Sequence, residues 1–228
     1  MGKGDSFSLA RVNLRGENKA AMLSSILVQP VFTFLVGAVL ALICVILFLN
    51  FNVLPNQSAD DLASYRAGMD KVVPSGLVAG GPGEKAALKR FTGFLKGLGD
   101  AKFVRENALQ VYAADAYLDD TLVTHHGAAE IEAYFLKTSE TMTSYQLDID
   151  DVVRSKDDYY IRWTMKFAAP LVGGGKPVFS VGMSQIRFNR EGKVEFHQDF
   201  WDAGKNFYGR LPVIGGAVGY VRKSLNAN

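Results

Sequence analysis

The chain predicts an α+β fold: a mostly antiparallel sheet, three helices on one of its faces, and one added apolar helix ahead of the domain. Three observations predict it. Apolar residues recur at helical spacing between residues 84 and 142. From residue 145 the period changes to two and holds to Trp201. Val31–Leu49 runs nineteen residues without a charge. Helices followed by a meander of long strands make an α+β domain rather than an alternating α/β one.

Composition limits the function classes. At 228 residues the chain holds one ordinary domain and something extra. A net charge of +2 gives no electrostatic case for nucleic acid. The single cysteine, Cys44, sits in the apolar run, so no intrachain disulfide forms and no cysteine is left elsewhere for zinc.

The first element is the apolar run. A helix of that length spans roughly 28 Å, close to the hydrocarbon thickness of a bilayer. It is longer than a signal-peptide core, and Gln57-Ser58-Ala59 makes a poor cleavage site. The expectation is an uncleaved signal anchor at residues 30–51, behind an N-terminal segment at 1–29. Arg11, Arg15 and Lys19 precede the span, and only Arg66 follows within a similar distance. The positive-inside rule then puts the N-terminus in the cytoplasm and the domain on the opposite side, the periplasm if the source is bacterial. Met1–Ser6 also fits the loose myristoylation pattern, which adds little beside a spanning helix and is taken as chance. Residues 52–83 read as a linker that ends in Gly80-Gly81-Pro82-Gly83, with a short helix conceivable over Ser58–Val73.

The domain, residues 84–206, then follows in order. Leu88, Phe91, Phe94, Leu95 and Leu98 form one helical face, stopped at Gly99-Asp100. Phe103–Tyr112 reads as a second helix, Tyr117–Val123 as a short strand and Ala128–Met142 as a third helix. Between the strand and the third helix His125-His126-Gly127 reads as a turn. Strands follow at Tyr145–Val153, Tyr159–Phe167, Val178–Phe188 and Lys193–Trp201, with turns at Gly173–Gly175 and Asn189–Gly192. The glycine run lies in a hairpin and not between a strand and a helix, so it is no phosphate loop. On the last strand, alternation puts Glu195, His197, Asp199 and Trp201 on one side.

Three stretches, YAADAYLDD (112–120), HGAAEIEAYF (126–135) and IRFNREGKVEFHQDFWD (186–202), resemble the nuclear transport factor 2-like superfamily. It includes ketosteroid isomerases, SnoaL-type polyketide cyclases, limonene epoxide hydrolases and scytalone dehydratase, together with members that have no known activity. The resemblance covers roughly Glu84–Trp201. It implies a curved sheet wrapped by the three helices into a cone with an apolar cavity, a natural small-molecule pocket. Ala114–Thr121 matches the isomerase pattern in register and puts Asp120 in the place of the general base. The positions of the isomerase oxyanion donors fall on Thr92 and Ser184, neither of which replaces a tyrosine–aspartic acid pair. A steroid isomerase is therefore not expected. The arginine–aspartate–aspartate set of the epoxide hydrolases is not evident either, with Arg162 and Asp199 its only candidate members.

The residues on the last strand suggest another set. The resemblance implies that the face bearing Trp201 looks into the cone, which puts His197 and Asp199 there too, about 7 Å apart along the strand, with Asp120 opposite. Carboxylate, imidazole and carboxylate would serve general acid–base chemistry such as enolisation, cyclisation or dehydration of an apolar carbonyl compound. Tyr112, Trp163, Ser184 and Trp201 are the expected ligand contacts. The competing structural reading has His197 and Asp199 satisfying each other in a core and Asp120 capping nearby amides. His125 and His126 point apart on an extended chain, so no metal site is expected, and no cofactor. The tail, residues 207–228, either covers the domain or contacts membrane or a partner. Two functions are left open. One is a membrane-tethered binder of a small apolar molecule, with or without isomerase or cyclase activity. The other is a non-catalytic accessory subunit of a larger membrane complex. A homodimer is compatible with either, and the bilayer is the expected partner of the N-terminal helix.

Overall fold

The computed structural model describes residues 33–48 and 58–225. The chain divides into two compact units, one up to Leu62 and one from Ala63 onward. In the first unit residues 33–48 are helical (α1) and exposed along their length. Among the described residues no helix is long and apolar enough to cross a membrane. The ends of the expected span, the N-terminal segment 1–29 and residues 52–57 of the expected linker lie outside the described residues.

The second unit begins within α2 (Ser58–Lys71) and continues through α3 (Pro82–Lys96), α4 (Ala101–Val111), β1 (Tyr112–Asp119), β2 (Thr124–His126) and α5 (Ala128–Thr141). It then runs through β3 (Ser144–Ser155), β4 (Asp158–Ala168), β5 (Val178–Phe188) and β6 (Val194–Trp201). It closes with a four-residue α6 (Ala203–Asn206) and α7 (Ile214–Leu225). One six-stranded sheet has the order β2-β1-β6-β5-β4-β3. Every neighbouring pair is antiparallel except β1 and β6, which run parallel. The register slips between Ile149 and Asp151 in the β3–β4 pair and at the β6 end of β5, and such bulges bend a sheet.

Local chemistry sets the helix ends. Pro82 lies in the first turn of α3, where its missing N–H costs little, and Glu84 accepts from the Gly80 N–H at 2.6 Å. Asp100 caps α4 by accepting from the Lys102 and Phe103 amides. Gly127 opens α5 at φ 85, a conformation that favours glycine, while the His126 N–H donates to Glu130 four residues on. The apolar faces of α3, α4 and α5 meet the inner face of the sheet. Phe91, Phe94, Val104, Ala108 and Ile131 pack there against Tyr112, Leu118, Ile161, Trp163 and Ile186.

Two expectations are corrected. Tyr112 opens a strand and does not end the second helix: β1 starts at Tyr112 and stops at Asp119, leaving Asp120 in the turn beyond it, and Thr124–His126, read as part of a turn, pairs with it as β2. Tyr112 pairs with Val194 of β6 and the ladder resumes at Tyr117 with Phe196, so the start of β1 depends on a strand distant in sequence that a local reading does not contain. Helices also cover both faces of the sheet. From Ala63 onward α2 lies on the outer face, so the expected linker 52–83 is not all tether. Tyr65 meets the Phe196 ring edge-on at 5.5 Å and donates to Gln185 at 3.0 Å. Arg187 donates to the Met69 carbonyl at 2.8 Å, and Lys71 pairs with Asp115. Gly68 permits the approach, since a Cβ there would lie 3.1 Å from the Tyr117 ring.

Candidate functional site

A cavity of about 600 Å³ opens between the inner face of β3–β6 and helices α3 and α5. Its wall is apolar for the most part, with Leu95, Leu98, Leu147, Trp163 and Met165 among the lining residues. Of the polar side chains that line it, Asp120 with Tyr134 and Ser184 with Asp199 form two hydrogen-bonded pairs, beside the indole of Trp201; Thr138, Glu140, Thr141, Thr143 and Tyr145 complete the polar lining.

Trp163 shapes the floor. It pairs with Gly182 on β5, where an added Cβ would lie 2.2 Å from the indole. The missing side chain lets the indole lie flat across the neighbouring strand. Its Nε1–H then donates to Ser184 Oγ at 3.0 Å, and the Ser184 hydroxyl donates to Asp199 Oδ1 at 2.5 Å.

Asp199 receives a second chain of donors from behind. His197 Nε2 lies 2.8 Å from the same Oδ1, and His197 Nδ1 lies 2.9 Å from the Tyr112 hydroxyl. Burial holds the Tyr112 phenol well above its usual titration range, with the Asp199 and Asp120 charges adding to the rise. The phenol therefore keeps its proton and donates it to Nδ1, which leaves the N–H on Nε2 to donate to Asp199. Two donor chains thus orient the Asp199 carboxyl through one oxygen. Its Oδ2 takes no hydrogen bond from the described residues and is the oxygen left for a ligand.

Asp120 is held differently. Its Oδ1 accepts from the Leu122 and Val123 amides, both at 3.0 Å, and its Oδ2 accepts from the Tyr134 hydroxyl. Its backbone carbonyl accepts from Trp201 Nε1 at 2.7 Å, which ties the turn to the end of β6. Burial raises the Asp120 carboxyl above the usual aspartate range. The Tyr134 hydroxyl and the two amides oppose that rise, and the charge of Asp199 adds to it. Burial and the Asp120 charge likewise push the Tyr134 phenol up.

Of the expected site residues, Asp120, Asp199, Trp163, Ser184 and Trp201 all reach the cavity wall. His197 and Tyr112 do not: both are fully buried, one layer behind the wall, with Phe91 against the imidazole at 5.1 Å. His197 and Asp199 are hydrogen-bonded partners rather than two groups that each face a ligand. The amide-capping role weighed for Asp120 is present alongside its cavity position. Thr92 turns its hydroxyl back to the Leu88 carbonyl, and Arg162 points to the exposed outer face, so neither joins the constellation. His125 lies against the Tyr134 ring and His126 against Tyr117, and the two point apart. Tyr134 was not singled out from the sequence. Its signal was its place three residues after Ile131 on the inward face of α5, where a tyrosine needs a buried partner for its hydroxyl.

Residues 91–197 match the family model of the SnoaL-like domain. No curated protein matches the chain. Among solved structures, an NTF2-like protein of unknown function from Exiguobacterium sp. 255-15 is 15% identical, over 51% of this chain and 98% of that one, with a TM-score of 0.45. An LEH-like epoxide hydrolase from M. tuberculosis is 13% identical, over 61% and 97%, with a TM-score of 0.46. A protein with a ketosteroid isomerase-like fold from Catenulispora acidiphila DSM 44928, solved with trimethylamine, is 14% identical, over 54% and 92%, with a TM-score of 0.45. At these identities and scores none of the three assigns a role to any residue of the cavity.

Proposed function

With residues 91–197 matched to the SnoaL-like domain, we propose that the cavity binds a small apolar molecule and performs general acid–base chemistry on it, an isomerisation or cyclisation through an enol. We propose further that residues 30–51 tether the domain to a bilayer. The observation that carries the first reading is the pair of unlike carboxyls, Asp120 and Asp199, on one apolar wall. Asp199 offers an open oxygen, oriented from behind by His197 and Ser184, and takes a proton from the carbon next to a carbonyl. Asp120, whose carboxyl burial raises above the usual aspartate range, faces the same space with Tyr134 and is the acid of the pair. His197 and Tyr112 are positioning residues, because neither reaches the cavity.

An accessory subunit that used the fold only for docking would have no need of an open cavity. The space here is unfilled by its own side chains and falls in the range of ligand sites. The test is to identify by mass spectrometry the apolar molecule that co-purifies with the chain and to assay its conversion. Asp199→Asn should lower kcat by about 100-fold or more, in line with loss of a general base. Tyr112→Phe should leave KM unchanged while lowering kcat less. Undiminished turnover in Asp199→Asn would remove Asp199 from the chemistry.

A further inference from the structure

The C-terminal helix α7 buries none of its residues. One side of it is held to the domain. Gly215 lies close to the Gly209 carbonyl, where an added Cβ would be 2.7 Å away, Val218 lies beside Gly209, and Arg222 reaches Asp202 at 3.5 Å. The adjoining side is apolar and free. Ile214, Ala217, Val221 and Leu225 recur at helical spacing, with Val221 54% and Leu225 77% exposed. Val213, just ahead, is 93% exposed. Residues 203–228 carry four cations, Lys205, Arg210, Arg222 and Lys223, and no acidic residue, in a chain whose net charge is only +2. An exposed apolar stripe within a cationic segment complements an anionic lipid surface, with the stripe among the acyl chains and the cations at the headgroups. The stripe also adjoins the cavity. Leu211, which leads into α7, and Leu171, itself 74% exposed, both line it.

We infer that α7 docks on an anionic lipid surface and turns the mouth of the cavity toward it, so that the ligand is a lipid-phase molecule taken up from the hydrocarbon side. The inference rests on the reading of the cavity as a site for an apolar molecule.

The test uses the full chain carrying Cys44→Ser, with a fluorescent label on Leu225→Cys, or on Val181→Cys of the outer sheet face as control. The protein is reconstituted in phosphatidylcholine vesicles with or without phosphatidylglycerol, and the bilayer contains nitroxide-labelled lipid. Quenching at position 225 that exceeds quenching at 181 and grows with phosphatidylglycerol is the expected result. Replacing Arg210 and Lys223 by Gln should then weaken docking about fivefold per cation. Equal quenching at 225 and 181 overturns the inference. So does excimer fluorescence between pyrene labels at 225 without lipid quenching, which assigns the stripe to a second copy of the chain. Retention with the vesicles at alkaline pH reports the spanning segment separately, and binding of the co-purified molecule in detergent reports the cavity separately.

Discussion

A carboxyl with both oxygens hydrogen-bonded and most of its surface out of water is pulled two ways, and at Asp120 burial wins. Its folded pKa is raised, so the folded state holds the proton more tightly than the unfolded chain does. The stability linked to that proton is present below the ordinary aspartate value and is lost as pH rises through the folded one. Asp120→Asn has no charge to bury and keeps an oxygen for the Leu122 and Val123 amides. The variant should therefore melt at a higher temperature than the parent at neutral pH, with the gap closing toward acid. Thermal melts across a pH series check this, and a gap that stays constant with pH would sink it. A position that serves the fold less well than its amide analogue is common where a side chain is held for chemistry. Which residues stand here was partly legible. The motif around 114–121 put Asp120 in register, and alternation on β6 put Asp199 and Trp201 on one side. Alternation did not separate Asp199, on the wall, from His197, behind it. Both share a face, and only the packing of Phe91 and Tyr112 from other elements decides which of them water or a ligand can reach.

Elements meet through a few contacts whose loss is predictable. Gly182 on β5 exists as a place for the Trp163 indole. In Gly182→Ala the ring must move and its bond to Ser184 must lengthen, at a cost of about 1–3 kcal/mol for overpacking. A lower urea midpoint with a shifted tryptophan emission is the expected result. Glu84 joins the start of α3 to β3 and β4. It accepts from Gly80 N–H, Tyr159 and Arg154, the last two at 2.8 and 2.6 Å. Burial alone would raise this carboxyl, but the Gly80, Tyr159 and Arg154 hydrogen bonds together hold it below its usual value. Tyr159 is in turn pushed up to about 12, by burial first and then by Glu84. A lowered folded pKa contributes stability above the unfolded value and loses it as pH falls through the folded one. Glu84→Gln should therefore melt below the parent at neutral pH, with the two curves converging in acid. The helices, turns and long strands were legible because each carries its own period. The first half of β1 was not, because it is anchored only by Tyr112 to Val194 of β6, some 80 residues further along the chain, before the ladder resumes at Tyr117.

At the scale of the whole second unit, α2 does for the outer sheet face what α3–α5 do for the inner one. A chain that begins at residue 84 would leave Phe196 and Tyr117 uncovered, at about 1.5–3 kcal/mol for a large apolar side chain. A chain that begins at residue 63 keeps them covered. The expected result is a clearly lower denaturant midpoint for the shorter chain with little change for the longer one, and equal midpoints would return α2 to the role of a tether. The sequence by itself determined the α+β class, the order of the long strands along the chain, the inward faces of the helices and the carboxyls available to a cavity. The class, the strands and the helix faces follow from periodicity and local turn chemistry, and the carboxyls from the resemblance that those patterns carry. The tertiary structure decided which carboxyl offers a free oxygen, that His197 and Tyr112 act from behind the wall, that Arg162 faces away, and that a segment read as linker is a covering helix. Those outcomes depend on which distant surfaces meet, and a pattern of three or four residues does not encode the burial that another element imposes on it.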